Sequence, residues 1–194
     1  MFQIGVAKLD KRLLQKIKAG DTASFAVLYN EYAGYALRVA SAITGNKMNA
    51  ADAVQETFIR VYTNIQSYDI EKPFEPWIYK ILVNECNRVL GKNMNRNTIL
   101  VDDFMENNLQ GSMEDDYKFE QYESLYDAIE RLDDKIKIPI ILKYLKGLQE
   151  SEIAEVLDIN INTIKSRLFK GRQKLKDLIE KLEGGNKDYE SFGR

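Results

Sequence analysis

The sequence predicts an all-α protein in which two small helical domains are joined by a flexible acidic linker. Three observations lead to this fold class. Apolar residues recur at spacings of three and four along most of the chain, as they do on the buried face of a helix. The two-residue alternation of a strand is absent. The segment "DDFMENNLQGSMEDDYK", residues 102–118, has no helical period and holds six acidic side chains and one basic side chain, a composition typical of a linker.

The first domain contains three well-marked helices. "SFAVLYNEYAGYALRVASAI" has helical periodicity, and Asp21 or Thr22 is a suitable cap for its start. In "EPWIYKILVNECNRVL", Pro76 lies near the beginning, where helices accept proline. Between these two segments lies an apolar stripe at helical spacing, formed by Ala51, Val54, Phe58, Val61 and Ile65.

These patterns set the expected domain bounds. We assign residues 1–96 to the first helical bundle, 97–118 to the acidic linker, 119–182 to the second helical domain and 183–194 to a flexible tail.

Composition excludes most kinds of catalytic site. The 194 residues include no His and one Cys, Cys86, so His-based triads, disulfides and most metal sites are excluded. No phosphate-binding loop and no paired-carboxylate motif stands out, so we expect a binding protein without enzymatic activity, cofactor or small-molecule substrate. The start of the chain lacks a secretory signal, no apolar run is long enough to cross a bilayer, and a single unpaired Cys suits a reducing cytoplasm. We therefore expect a cytoplasmic protein without membrane insertion.

Near the end of the second domain the pattern is that of a helix-turn-helix. "QESEIAEVLDINI" predicts a short helix capped by Ser151, and a turn follows at Asp158, a residue type that tolerates the left-handed conformation. Asn162 is then expected to cap the second helix.

The second helix separates into an apolar face and a basic face. "NTIKSRLFKGRQKLK", residues 162–176, holds six Lys or Arg residues and no acidic residue. Ile164, Leu168, Gly171 and Leu175 form the inward stripe, and Gly171 allows a close helix approach. An outward aromatic ring, Phe169, has no core to join but suits a base edge in a major groove. The bland alternative, a solvated basic helix, explains the charge but not the ring. The remaining outward positions are Asn162, Thr163, Lys165, Ser166, Lys170 and Gln173, with Arg167 and Arg172 placed for phosphate contacts.

Two motifs in order give the chain a resemblance to a known family. "SEIAEVLDININTIKSRLFKGRQKLKDLI" resembles region 4 of sigma-70 factors, whereas "NAADAVQETFIRVYTNIQSY" and "FEPWIYKILVNECNRVLGK" resemble regions 2.2 and 2.3–2.4. The absence of a domain between them is similar to the extracytoplasmic-function group. The resemblance implies a promoter-specificity subunit that binds bacterial core RNA polymerase and promoter DNA.

The resemblance also implies roles for particular residues. Asp52, Gln55 and Glu56 match the positions that bind the β′ clamp coiled coil, and the second domain matches the part that meets the β flap. On the recognition helix, the positions that read the −35 element are Lys165, Ser166, Phe169 and Lys170. The acidic linker would thread towards the polymerase channels, and an anti-sigma factor is a further partner that the resemblance allows.

Melting of the −10 element is implied for the loop from Gln66 to Glu75 and the helix after it. Asn84 matches a polar position near the −10 bases. For Trp77 and Phe74 the alternative is core packing, which is the commoner role of aromatics at this spacing, and we expect Trp77 in the core. The implied stacking faces are Tyr68, Phe74, Trp77 and Tyr79, and the implied phosphate contacts are Lys80, Arg88 and Lys92.

One other DNA-binding function remains open from the sequence. A conventional helix-turn-helix activator or repressor would explain the second domain but would leave "DAVQETF" and the aromatic loop without a role.

Overall fold

The computed structural model describes residues 10–96 and 128–190, and every secondary-structure element in this part of the chain is a helix. The linker, residues 97–118, and the expected start of the second domain at Phe119 lie outside the described residues. The helices are α1 (Lys11–Lys18), α2 (Thr22–Thr44), α3 (Lys47–Asn64), α4 (Phe74–Arg96), α5 (Asp134–Tyr144), α6 (Glu150–Leu157) and α7 (Ile161–Glu190), with a short 3₁₀ turn at Ile65–Ser67.

Side-chain caps fix the starts of α2 and α3 in the first module, residues 10–96. Asp21 is the N-cap of α2 and accepts a hydrogen bond from the Ala23 backbone N–H at 3.2 Å. Asn46 caps α3 in the same way through the Asn49 N–H at 3.0 Å. Each carboxylate or amide oxygen satisfies an N–H that has no partner inside the helix, so the sequence positions of Asp and Asn determine where these helices begin.

The first module is a bundle in which α2, α3 and α4 pack on one another. The predicted stripe on α3 is buried at Val54, Phe58 and Val61, and Ile65 of the following turn joins it. Ala51 is the exception, since it is exposed. Its place on the inner face is taken by Ala50 and Ala53, which are fully buried.

The second module, residues 128–190, contains α5, α6 and α7, and α6 and α7 form the predicted helix-turn-helix. Asp158 in the turn has φ 55°, the left-handed conformation expected of it. Two caps differ from the prediction. Gln149, not Ser151, precedes α6, and its backbone N–H donates to the Glu152 carboxylate at 2.7 Å.

The second helix likewise starts earlier than predicted. The cap of α7 is Asn160, whose side-chain oxygen accepts from the Asn162 N–H at 2.8 Å. Several neighbouring polar residues at the starts of α6 and α7 can cap the unpaired N–H groups of the first turn. Hydrophobic periodicity alone therefore does not show which of them is the cap. At its other end α7 continues through Glu190, beyond residue 182, where the helical region was expected to stop.

At Gly171, α7 passes close to α5. A Cβ atom at this position would lie 2.7 Å from two side-chain atoms of Ile140 and 2.9 Å from Ile136 Cγ2. Such distances are too short for carbon atoms in contact, so the absence of a side chain at Gly171 permits the packing predicted for this stripe.

Replacing Gly171 with Ala is expected to lower the free energy of unfolding by about 1 kcal/mol. Overpacking costs roughly 1–3 kcal/mol, whereas Ala in place of Gly gains about 0.5–1 kcal/mol in helix propensity. The matched control is Gly34→Ala in α2, where nothing lies within 4 Å and only the gain applies. Urea denaturation of both variants separates the cost of overpacking from the gain in helix propensity. Equal stabilisation by both substitutions would show that α5 accommodates the added methyl group without loss of stability.

The two modules are in direct contact. In the described part of the chain, α6 packs on α4, α5 packs on α2, and the buried apolar residues of both modules form one continuous cluster. The sequence indicated two units but gave no sign that they pack together. No helix in residues 10–96 or 128–190 is long and apolar enough to cross a membrane.

Candidate nucleic-acid interface and partner surface

The recognition helix presents the predicted face to solvent. Ile164, Leu168 and Gly171 are buried and Leu175 is half-buried, as the inward stripe requires. Arg167 is half-buried. The other outward positions are exposed, namely Asn162, Thr163, Lys165, Ser166, Phe169, Lys170, Arg172 and Gln173.

Phe169 is the most informative residue on this face. Its side chain is 57% exposed although it is a large aromatic residue at the centre of a basic surface. Burying such a ring is worth roughly 1.5–3 kcal/mol, which folding of the chain leaves unused. Together with Lys165 and Lys170, the ring gives a convex helical surface that combines positive charge with one apolar contact, as major-groove recognition requires.

Near the same face, Arg172 is oriented by a residue that the sequence did not single out. Its Nη1 lies 3.4 Å from the hydroxyl of Tyr144, the last residue of α5. Tyr144 is itself 58% exposed. The pair therefore adds a second donor group beside the guanidinium at the edge of the recognition helix.

In the first module, the predicted stacking aromatics are mostly core residues. Tyr68, Phe74 and Tyr79 are 5% exposed or less. Burial raises the pKa of Tyr68 to about 12, and its hydroxyl donates to the Lys72 carbonyl. Burial also raises the pKa of Tyr79 well above its usual range. Because these rings lie inside the bundle, the prediction of open stacking faces is wrong for Tyr68 and Tyr79, and for Phe74 the alternative of core packing holds.

Trp77 differs from these three rings, because it packs against the core and also keeps part of its surface open. It is half-buried and packs on Tyr68 and Phe74 with ring centroids 4.7 and 5.6 Å away. Its remaining surface contributes to a pocket of about 300 Å³ between the end of α3 and the start of α4. The lining residues are Arg60, Asn64, Ser67, Trp77, Ile81, Asn84 and Glu85. The structure thus brings Trp77 and Asn84 together with donor groups from α3.

Glu85 organises the charge on one side of this pocket. Its carboxylate is almost completely buried and forms ion pairs with Arg60 and Arg88, whose Nε atoms each lie 2.5 Å from a carboxylate oxygen. The hydrogen bond that Arg88 Nε donates to the Glu85 carboxylate raises the pKa of Arg88. One acidic side chain therefore holds two partly exposed guanidinium groups beside the pocket.

This arrangement changes the reading of the predicted phosphate contacts. Arg88 is bound by Glu85 and lies 3.9 Å from Glu56, so it is an intramolecular partner rather than a free cation. Lys80 is half-buried in α4, one turn after Trp77. Lys92 lies in α4, and its side chain falls outside the described residues.

The predicted polymerase-binding edge runs along α3. Asp52 and Gln55 are exposed, and Glu56 is half-exposed beside Arg88. Gln55 also lines a groove of about 820 Å³ between α2 and α3, whose walls are mostly apolar. Tyr29, Ile59 and Tyr62 leave about half of their surface exposed in this groove. The edge is therefore continuous with an uncovered apolar surface.

Sequence reasoning missed Arg60, Glu85 and this groove. A signal for the groove was present, because Ile59 and Tyr62 are apolar residues outside the inward stripe of α3. Glu85 gave no comparable signal, since a Glu in a helix with an Arg three residues later usually forms an exposed pair.

Comparisons with known proteins agree with both modules. The family model "Sigma-70 region 2" matches residues 28–96, and "Sigma-70, region 4" matches residues 122–175. The ECF RNA polymerase sigma-E factor of Haemophilus influenzae is 31% identical over 89% of this chain and 96% of its own length. The ECF RNA polymerase sigma factor SigW of Bacillus subtilis is 30% identical over 89% of this chain and 97% of its own length.

Two solved structures share the fold at low sequence identity. CnrH, solved in complex with the cytosolic domain of CnrY, has a TM-score of 0.68 at 18% identity and covers 88% of this chain and 97% of its own. RpoE of Bartonella quintana, solved with the anti-sigma factor NepR, has a TM-score of 0.60 at 19% identity and covers 87% of this chain and 92% of its own.

Proposed function

The chain belongs to the extracytoplasmic-function group of sigma-70 RNA polymerase sigma factors, and we propose how its parts divide the work of promoter-specific initiation. Residues 1–96 bind core polymerase and open the −10 element, residues 119–182 read the −35 element, and residues 97–118 connect the two. The observation that carries this proposal is the exposed Phe169 face in the same chain as the acidic edge of α3. A conventional activator or repressor needs the first feature but has no use for the second.

For the −35 element, the exposed face of α7 enters the major groove. Lys165, Ser166, Phe169 and Lys170 contact base edges, while Arg172 and the half-exposed Arg167 contact phosphates. Asn162, Thr163 and Gln173 extend the same surface at its edges. Tyr144 supports Arg172 because its hydroxyl lies within reach of the guanidinium.

For the −10 element, the Trp77 pocket receives an unstacked base. Trp77 offers the flat face, and Asn64, Ser67 and Asn84 offer polar groups to a base edge. Arg60 at the rim, together with Lys80 and Lys92, suits the path of the backbone. Tyr68, Phe74 and Tyr79 support the pocket wall from inside the core instead of stacking on bases.

For core polymerase, the edge Asp52, Gln55 and Glu56 accepts basic side chains from the β′ clamp coiled coil. The exposed acceptors of this edge complement a positively charged helix pair. Charge-assisted hydrogen bonds at such an edge favour fast and specific docking. The second module then meets the β flap. In this proposal the protein acts in the cytoplasm, has no catalytic activity and needs no cofactor, and an anti-sigma factor is a further partner.

Two substitutions on the recognition helix distinguish contacts to the phosphates, which position the helix, from contacts to the bases, which read the sequence. Arg172→Ala is expected to weaken binding to every duplex and to lower the logarithmic salt slope by about one unit, since one phosphate contact is lost. Phe169→Ala is expected to weaken binding to a duplex selected from a randomised pool by about tenfold while binding to random duplex stays unchanged. Fluorescence anisotropy across a salt series measures both quantities.

The control is Lys181→Ala, which removes an exposed cation of α7 beyond the recognition segment. It should leave both affinities as they are. Equal losses on selected and random duplex for Phe169→Ala would show that the ring does not read sequence.

A further inference from the structure

Lys146 is a lysine whose charge is buried between the two modules. It follows α5 in the loop that leads to α6, and its side chain is only 3% exposed. The ammonium lies 2.7 Å from the carboxylate of Glu75, which belongs to α4 of the first module. It also lies over three tyrosine rings of α2 and α4, at 5.1 Å from Tyr35, 5.5 Å from Tyr79 and 6.0 Å from Tyr32.

A buried ammonium requires partners, and here the described partners are all on the other module. Water is excluded from the Nζ atom, so its charge is compensated by one carboxylate and by the negative faces of aromatic rings. Tyr32 and Tyr79 are themselves almost completely buried. The receptacle formed by Glu75, Tyr32, Tyr35 and Tyr79 is therefore filled by Lys146 only while the second module sits on the first.

This contact conflicts with the task of reading two promoter elements. Elements centred near −35 and −10 are about 25 base pairs apart, which is roughly 85 Å along B-form DNA at 3.4 Å per base pair. A compact chain of this length has a radius of gyration of about 16 Å and is roughly 40 Å across. Modules that touch through Lys146 and Glu75 therefore cannot occupy both elements at once.

The reading surfaces themselves remain open in the packed arrangement. The Phe169 face of α7 and the Trp77 pocket are both exposed while Lys146 is buried. The contact thus restricts the distance between the two surfaces and leaves each surface accessible. A protein in this state can touch one element but not span a promoter.

We propose that Lys146 and its receptacle form a latch that keeps the free sigma factor closed and must release before both promoter elements are engaged. The inference rests on the proposed function and adds a conformational step to it. The pair suits a reversible latch, because a buried ion pair regains hydration when it separates and so has a modest net strength. Binding of the two modules to separate sites on core polymerase would supply the free energy of opening.

The decisive variant is Lys146→Glu. In the closed state it places a second carboxylate against Glu75 and the electron-rich ring faces, whereas in an open state the same side chain is hydrated and harmless. The double variant Lys146→Glu with Glu75→Lys restores an opposite-charge pair. Lys143→Glu is the matched control. It changes the charge by the same amount, but Lys143 pairs at 3.9 Å with Glu150 inside its own module.

The distance between the modules can be measured without polymerase or DNA. Spin labels are placed on Met48→Cys and Lys176→Cys, whose side chains are about 70% exposed on different modules. Native Cys86 can remain, since it is fully buried and burial raises its pKa to about 12. Pulsed electron–electron double resonance then gives the distribution of distances between the two labels. Circular dichroism checks that each variant keeps its helical content.

We expect one short distance for the parent and for Lys143→Glu, and an increase of at least about tenfold in the population of longer distances for Lys146→Glu. The charge-swapped double variant should return to the short distance. Glu75→Lys alone should open the chain as Lys146→Glu does, which gives a second route if one variant folds poorly. A short distance in both single variants would overturn the latch.

The functional arm is binding to core polymerase. If the latch restrains engagement, Lys146→Glu binds core about tenfold more tightly than the parent, because the competent open fraction is larger. If Lys146→Glu opens the chain but does not tighten binding to core polymerase, the claim that the latch limits this binding is contradicted. Failure of parent and variants alike to bind core would instead contradict the proposed function, while the distance measurement would still stand.

Discussion

Replacing Glu85 with Ala is expected to lower the free energy of unfolding by about 2–3 kcal/mol. The substitution removes a carboxylate that is almost completely buried and leaves the guanidinium groups of Arg60 and Arg88 without their shared partner. Breaking a wholly buried pair costs roughly 3–5 kcal/mol. The expected loss is smaller because both arginine side chains retain contact with water and can be rehydrated.

Urea denaturation followed by circular dichroism measures this loss. The matched control is Glu180→Ala, a carboxylate that is 64% exposed and pairs with Lys176 at 3.8 Å along α7. An exposed pair of this kind contributes about 0.3–0.5 kcal/mol. If both substitutions cost the same, Glu85 does not hold the two arginines in place beside the Trp77 pocket.

Reversing the charge of Asp52 and Glu56 together is expected to reduce retention by core polymerase at least about a hundredfold. The substitutions to Lys place positive charge where the proposed partner surface is itself positive, and like-charge contacts across an interface cost several kcal/mol. The measurement is a pull-down of the purified chain on immobilised core, with titration by fluorescence to obtain the dissociation constants.

Two further variants make the result specific to this edge. Asp52→Lys alone leaves the contact of Glu56 with Arg88 intact, so it tests the edge without disturbing the bundle. Asp177→Lys with Glu180→Lys changes the net charge equally at exposed positions late in α7. Retention of the Asp52 and Glu56 variant at the level of this control would show that binding to core polymerase does not use this edge.

The recognition helix was the part of the site that the sequence predicted best. A single helix contains all the information needed to separate Ile164, Leu168 and Gly171 from Phe169, because the period of 3.6 residues places them on opposite faces. The structure confirms the burial of the first three and the exposure of the ring. Local periodicity decides such a question without knowledge of the remaining fold.

The aromatic loop was predicted less well, because its outcome depends on packing between helices. Tyr68, Phe74 and Tyr79 lie in the core, whereas Trp77, expected in the core, reaches a pocket wall. All four lie within twelve positions and share one composition, so their spacing does not show which ring meets α2 and which meets solvent. Only the placement of α2 and α3 beside α4 makes that choice.

The charged contacts were outside the reach of sequence reasoning for a similar reason. Glu85 meets Arg60 from the preceding helix, and Lys146 meets Glu75 from the other module. In the sequence each of these residues is an ordinary charge on an amphipathic segment. Their burial results from tertiary contacts between distant segments, and the closed arrangement of the two modules follows from the same contacts.

Run-off transcription with purified core polymerase and a library of genomic fragments tests most directly whether the two modules serve one promoter together. With the intact chain added, we expect transcripts that begin at discrete positions, each preceded by the same two short sequence blocks about 35 and 10 base pairs upstream. Core alone should give none of these starts. The account would be contradicted if adding the chain produced no new start site on any fragment.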